Sequence, residues 1–159
     1  MTLSWLDVTL RLVLAVILGG IIGLEREIQR KPAGLRTIIL VSLSSALFVL
    51  AAQGAAIQLG EPVEPGRLSS AIAQGVGFLG AGLILQSRGQ VRGLTTAATL
   101  WAAAAIGAAL GLGALYLAAL GAALVFIVLR LLTVVEDRVL GTHDKRRPKP
   151  PRNDQEPSS

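Results

Sequence analysis

The densest group of charged residues in the sequence lies at residues 24–37, directly after an apolar stretch. It contains Glu25 and Glu27 together with Arg26, Arg30 and other basic residues. Carboxylates in such a place can hold Mg²⁺, which keeps several of its waters and needs only one or two carboxylates. The adjacent basic side chains oppose an open cation site, so the simpler interpretation is a turn whose carboxylates pair with cations of the same segment. No metal site is predicted.

Two motifs of similar form each precede a later apolar stretch: Gly34-Leu-Arg-Thr37 and Gly93-Leu-Thr-Thr96. Each is predicted to begin a helix, where free backbone N–H groups and the positive end of the helix dipole favour anions. A phosphate, a lipid head group or a partner's carboxylate could bind there. The alternative is an ordinary helix start with locally bonded threonines. The candidate residues of this site are Glu25, Arg26, Glu27, Gly34, Arg36, Thr37, Arg92, Gly93, Thr95 and Thr96.

Several kinds of chemistry lack the residues they need. The chain has no cysteine, and its one histidine, His143, stands in a polar tail. No catalytic constellation and no cofactor site are therefore predicted, and the chain is not expected to be an enzyme. Arg11, Glu25, Arg36 and Arg130 lie towards span ends, and no other Asp, Glu, Lys, Arg or His lies within the apolar stretches. The lack of such groups in the span interiors disfavours ion-coupled transporters and proton pumps.

The amino-acid composition indicates whether these residues lie in a water-soluble domain or in a membrane. Apolar residues make up 52% of the 159 residues, charged residues only 16%, and mean hydropathy is +0.63. Five apolar stretches are long enough to cross a bilayer as helices, which predicts an all-α polytopic membrane domain over residues 1–135. Residues 136–159 are basic and proline-rich and are expected to form a disordered cytoplasmic tail. The predicted spans are 8–24, 35–57, 68–85, 94–112 and 115–135.

The distribution of Lys and Arg predicts the orientation of these spans. With the connection at residues 25–34 inside, thirteen basic residues lie on the cytoplasmic side, and only Arg11 and Arg67 lie outside. The positive-inside rule then places the amino terminus outside and the carboxyl terminus in the cytoplasm of a bacterial inner membrane. The positions of the basic residues are explained by the orientation of the spans. The lipid bilayer is therefore the expected partner, and nucleic acid is not.

Small residues recur at helical spacing within the spans. They predict close helix packing, either within one chain or between copies in a homo-oligomer such as a dimer. A repeat also relates the two motifs, because Gly23 and Gly34 recur at Gly82 and Gly93 with an offset of 59. It favours two parallel helix-pair repeats plus a fifth helix; chance similarity among Gly- and Ala-rich helices is the alternative. The packing glycines are Gly19, Gly23, Gly75, Gly77, Gly80, Gly82, Gly107 and Gly111.

Four ordered blocks between residues 12 and 120 form a recognisable series: Gly19-Gly-Ile-Ile-Gly-Leu-Glu-Arg-Glu27, Lys31-Pro-Ala-Gly-Leu-Arg-Thr37, Gly75-Val-Gly-Phe-Leu-Gly-Ala-Gly82 and Val91-Arg-Gly-Leu-Thr-Thr-Ala-Ala-Thr-Leu-Trp101. With these blocks, residues 12–120 resemble the membrane domain of the MgtC/SapB family. The resemblance implies a bacterial inner-membrane protein of magnesium homeostasis, with some relatives acting on the membrane ATP synthase. Longer relatives append a soluble ACT-like domain, where this sequence has its tail. Many relatives have His at the position of Ile38, and some have Asn at the position of Thr95.

Two functions follow from these observations. The first is a non-enzymatic regulator whose cytoplasmic face contacts a membrane partner through Arg36, Arg92 and the connection at residues 25–34. The second is a transporter or channel for Mg²⁺ or another small ion.

Overall fold

The computed structural model describes residues 4–87 and 90–135 and shows the expected all-α architecture. Five helices form the described part of the chain, and a short antiparallel hairpin joins the third to the fourth. The predicted tail at residues 136–159 lies outside the described residues, as does His143. The helices are α1 (Trp5–Ile28), α2 (Leu35–Leu59), α3 (Pro65–Leu83), α4 (Leu94–Gly111) and α5 (Leu115–Val135), with strands β1 (Leu85–Ser87) and β2 (Gln90–Arg92).

Four of these helices, α1, α2, α4 and α5, are long and apolar enough to cross a membrane. The exception is α3, which begins with Pro65-Gly-Arg67 and contains Ser69, Ser70 and Gln74, residues that lower its hydropathy. Trp5, Phe48, Phe78 and Tyr116 are large and more than half exposed, as expected where the surrounding solvent is lipid. The protein is therefore a polytopic α-helical membrane protein.

The core is formed by α1, α2 and α4, which approach closely at glycines. A Cβ atom built on Gly19 would lie 2.9 Å from Ser42 Cβ, and one on Gly23 would lie 2.9 Å from Leu35 Cα, so α1 and α2 run antiparallel. Gly107 meets the backbone of Ser42, and Gly111 meets Val49 further along both helices. Helices α2 and α4 are therefore parallel, and small residues allow their backbones to touch.

The remaining contacts place two helix ends and two helix starts on the same side of the core. Gly80 of α3 packs on Ala97 of α4, with 3.3 Å to its Cβ, and the hairpin connects these antiparallel helices. The turn after α4 contains Gly113 at φ +83°, and Gly121 of α5 then faces Ile106. The predicted α4–α5 hairpin is confirmed. Consequently α1 and α3 end, and α2 and α4 begin, on one side, which we call the motif side.

The chain divides into two units, Met1–Val128 and Leu129–Ser159. The first contains α1 to α4 and most of α5. The described part of the second is the end of α5, where Thr133 Oγ1 donates a hydrogen bond to the carbonyl of Leu129.

Candidate functional site at the motif side

Arg26 is a charged residue buried inside the bundle. It lies in the last turn of α1 and is only 3% exposed. Its Nη2 donates to Thr96 Oγ1 in the first turn of α4 at 2.6 Å and lies 3.4 Å from the carbonyl oxygen of Pro32. Its Nε is buried without a hydrogen-bond partner among the described residues. Arg26 thus links the end of α1 to the start of α4 and brings the two predicted motifs together.

Glu25 is the second buried charge and is 4% exposed. Its Oε1 accepts a hydrogen bond from Gln29 Nε2, one turn further along the chain. Its other oxygen, Oε2, is buried and accepts no hydrogen bond from any residue in the described part of the chain. Glu25 is therefore held by its own helix rather than by the cations of the following turn, in contrast to the simple ion-paired turn expected from the sequence.

Glu27 supplies the cap at the start of α2. Gly34 occupies the N-cap position, where its missing side chain can accept nothing from the helix. The carboxylate of Glu27 replaces that missing acceptor, since Leu35 N–H donates to Glu27 Oε2 at 3.0 Å. A Cβ atom at Gly34 would overlap the same oxygen. The anion expected at this helix start is thus a carboxylate of the chain itself.

The start of α4 is arranged differently. Gly93 is the N-cap at φ +92°, and a Cβ atom there would overlap the carbonyl oxygen of Leu83. No described side chain accepts a hydrogen bond from the first turn of α4. Thr96 is buried against Arg26, whereas Thr95 is exposed and its carbonyl accepts from Thr99 Oγ1 at 2.7 Å. A cation, rather than an anion, stands beside the positive end of this helix.

Arg36, Thr37 and Arg92 are exposed on the motif side. Within the described ranges, neither arginine side chain forms a hydrogen bond or an ion pair. The carboxylates nearest in sequence, Glu25 and Glu27, are bonded to Gln29 and to the Leu35 N–H. That Arg36 and Arg92 contact a membrane partner stays a prediction.

The predicted packing glycines divide into two groups. Gly19, Gly23, Gly80, Gly107 and Gly111 contact neighbouring helices. The other three, all in α3, have no atom within 4 Å of a built Cβ; they are Gly75, Gly77 and Gly82.

The roles of three polar residues were not predicted from the sequence. Ser42 is fully buried between Gly19 and Gly107, and its Oγ has no partner among the described residues. Gln29 binds Glu25, and the four-residue spacing on one helix was a signal that could have found it. Asp7 pairs with Arg11 at 2.6 Å, with the same spacing.

The fold and the blocks at one side of the bundle define a class, the polytopic α-helical membrane proteins. Comparison with known sequences shows to which family of that class the chain belongs. The sequence model of the MgtC family matches residues 12–138, so this chain belongs to the MgtC family. No solved structure matches it.

Three curated relatives show how far the similarity extends. Protein SrpB of Synechococcus elongatus is 45% identical over 133 residues, which are 74% of this chain and 70% of SrpB. Protein MgtC of Salmonella typhimurium is 46% identical over 104 residues, covering 65% and 43% of the two chains. Protein SapB of Bacillus subtilis is 42% identical over 121 residues, covering 71% and 52%. The chain thus spans about half the length of the latter two.

Proposed function

We propose that this chain is a non-enzymatic protein of the bacterial inner membrane that serves magnesium and ion homeostasis by regulating a membrane protein partner. The observation that carries the proposal is the unequal distribution of charge on the bundle. Exposed Arg30, Lys31, Arg36 and Arg92 lie on the motif side, beside the two family motifs. The carboxylates nearest in sequence, Glu25 and Glu27, are bonded elsewhere, so these cations are available to a partner.

Apart from Glu25 and Arg26 at the end of α1, the interior of the bundle also favours regulation over ion movement. Among the described residues, the buried polar side chains of α2 and α4 are hydroxyls only: Ser42, Ser45, Thr96 and Thr99. Proton relays and ion pathways need ionisable groups along the membrane, and α2 and α4 bury none. By family resemblance, the membrane ATP synthase is the partner we propose first.

The test is complementation of a deletion strain. Cells without the gene should grow poorly at low magnesium, and the wild-type gene should restore growth. Arg36→Lys keeps the charge but loses the planar fork that binds a carboxylate in two places, so it should fail nearly as badly as Arg36→Ala. Arg67→Lys and Arg67→Ala are matched controls at the other end of the bundle and should complement. A deletion strain indifferent to magnesium, pH and membrane potential would remove the proposal.

The rival function is an Mg²⁺ transporter or channel. One observation favours it, namely the buried Glu25 oxygen that no described residue satisfies. Purified protein in liposomes loaded with an Mg²⁺-sensitive dye separates the two functions. Flux above that of empty liposomes, lost in Glu25→Gln, would support transport, whereas the regulator should give no flux.

A further inference from the structure

The outward side of α3 carries a polar side chain at the middle of the bundle. The indole Nε1 of Trp101, near the middle of α4, donates a hydrogen bond to the carbonyl of Ala73 at 3.3 Å. Helix α4 is long and apolar enough to cross a membrane, so Gln74, the residue after Ala73, lies near the centre of the hydrocarbon layer. The side chain of Gln74 is exposed, and in the single chain it therefore faces lipid.

The carboxamide of Gln74 is only partly hydrogen-bonded. Its Nε2 donates to Ser70 Oγ, one turn earlier in α3, at 3.2 Å. Its carbonyl oxygen accepts no hydrogen bond from any residue in the described part of the chain. Water would complete the hydrogen bonds of such a group at the surface of a soluble protein, but lipid cannot. A second polar surface within the membrane would therefore stabilise Gln74.

The residues around Gln74 leave room for another helix. Ser70, Gln74, Gly77 and Ala81 follow one another at spacings of four, three and four residues, which places them on one face of α3. All four are exposed, and a Cβ atom built on Gly77 meets nothing within 4 Å. The small residues allow a neighbouring backbone to approach the carboxamide. We call this surface the Gln74 face.

We propose that the Gln74 face binds a second copy of this chain, in a dimer whose two-fold axis runs along the membrane normal. A carboxamide is both donor and acceptor, so two Gln74 side chains can exchange two hydrogen bonds across such an axis. Two copies inserted in the same orientation present Gln74 at the same depth, whereas an unrelated helix would need a matching polar group there. The Gln74 face carries no charge, which favours a neutral, self-complementary partner over a charged one.

Cross-linking of single cysteines tests this geometry, because the chain has no native cysteine. In membranes of cells that express the full chain, oxidation should join Gly77→Cys and Ala81→Cys into a product of twice the mass of the chain. Leu79→Cys is the matched control, since Leu79 is 51% exposed but lies about 160° around α3 from Gly77. It should remain a single chain. The proposal is overturned by no product at positions 77 and 81, by an equal product at position 79, or by a product joined to a different protein.

Variants of Gln74 test the hydrogen bonds themselves. Energy transfer between donor- and acceptor-labelled chains in liposomes, measured over a range of lipid-to-protein ratios, gives the dissociation constant of the dimer. Gln74→Leu loses both hydrogen bonds but suits lipid, so it should fold and raise this constant about tenfold. Gln74→Asn keeps a carboxamide and should dimerise more tightly than Gln74→Leu. Gln53→Leu, the same change in α2, should match the wild type. Equal constants for the wild type and Gln74→Leu would overturn the proposal.

Discussion

At the scale of single residues, the two helix starts of the motif side use opposite solutions to the same problem. Each begins at a glycine, which allows close backbone approach but gives no side-chain cap. At α2 the missing acceptor comes from Glu27, eight residues before Leu35. At α4 a buried cation, Arg26, donates a hydrogen bond to Thr96 in the first turn. Similar motifs in the sequence therefore have different electrostatic environments in the folded chain.

The cap from Glu27 predicts a measurable loss of stability. Glu27→Ala leaves Leu35 N–H without its acceptor and should lower the free energy of unfolding by about 0.5–1 kcal/mol. Unfolding by SDS in mixed micelles, followed by tryptophan fluorescence, measures it. Glu64→Ala is the matched control, because Glu64 is the N-cap of α3 but makes no side-chain cap hydrogen bond. Equal losses in the two variants would contradict the assigned cap.

At the scale of helices, α1 is hydrogen-bonded to both ends of α4. Arg26 donates to Thr96 at the start of α4, and Arg11 donates from Nη1 to the carbonyl of Gly111 at its end, at 2.9 Å. The two arginines are 26 − 11 = 15 residues apart, and their partners are 111 − 96 = 15 residues apart. Both separations correspond to about 22 Å of helix. The sequence spacing of the arginines therefore matches the antiparallel register of α1 and α4.

The hydrogen bonds of Arg11, at the end of this helix pair away from the motif side, predict the effect of removing that arginine. Arg11→Leu keeps an apolar side chain but leaves Asp7 and the Gly111 carbonyl without their donor. We expect a loss of about 1–3 kcal/mol in the free energy of unfolding, the usual cost of an unsatisfied polar group. Arg67→Leu removes an arginine that is 84% exposed and should change stability little. Comparable losses in both variants would mean that Arg11 acts only as a surface charge.

The close contact between α2 and α4 at Gly107 predicts that one added methyl group destabilises the fold strongly. In Gly107→Ala the new Cβ would overlap the Ser42 carbonyl oxygen, and backbone atoms cannot move aside as a flexible side chain can. Destabilisation should be about 1–3 kcal/mol, measured by the same SDS unfolding. Gly75→Ala has open space around it and should be neutral or slightly stabilising, because alanine favours helix. The prediction fails if Gly107→Ala is as stable as Gly75→Ala.

Much of the helical framework could be predicted from the sequence, because in lipid a run of about twenty apolar residues has few alternatives to helix. The starts of α2, α4 and α5 agree with the predicted spans to the residue. The end of α1 does not, since the chain stays helical through Glu25 and Ile28, where hydropathy predicted a loop. The β1–β2 hairpin was also missed, within a polar segment predicted only as a connection.

The site was less predictable than the framework, for a physical reason. The sequence analysis named Arg36 and Arg92 as the arginines that contact a partner, and both are exposed. Arg26 is the one that is buried. Hydropathy treats all arginines alike, and burial of Arg26 depends on the position of α4, seventy residues later in the chain. Only the packed bundle shows which cation points inward.

At the scale of the whole molecule, the proposed contact with a cytoplasmic partner depends on which side of the membrane the motif side faces. This orientation can be tested by labelling cysteines introduced at the two ends of a helix. Arg30 and Glu64 lie at opposite ends of α2, whose 25 residues span about 37 Å. Both residues are exposed, and the chain has no native cysteine. Cysteines introduced singly at these positions can therefore be labelled without background. The positive-inside rule predicts that Glu64→Cys reacts with an impermeant maleimide in intact spheroplasts and that Arg30→Cys reacts only after lysis.

A cysteine at Ser87, in the hairpin that joins α3 to α4, should behave like the one at Arg30, because both connections belong to the motif side. The three variants together test the alternation of the spans as well as their orientation. Agreement between positions 30 and 87, opposed to position 64, requires that α2 and α3 both cross the membrane, including α3 with its lower hydropathy. If Ser87→Cys is labelled from outside while Arg30→Cys is not, α3 does not cross. If Arg30→Cys is labelled in intact spheroplasts, the orientation is reversed, and the motif side cannot contact a cytoplasmic partner.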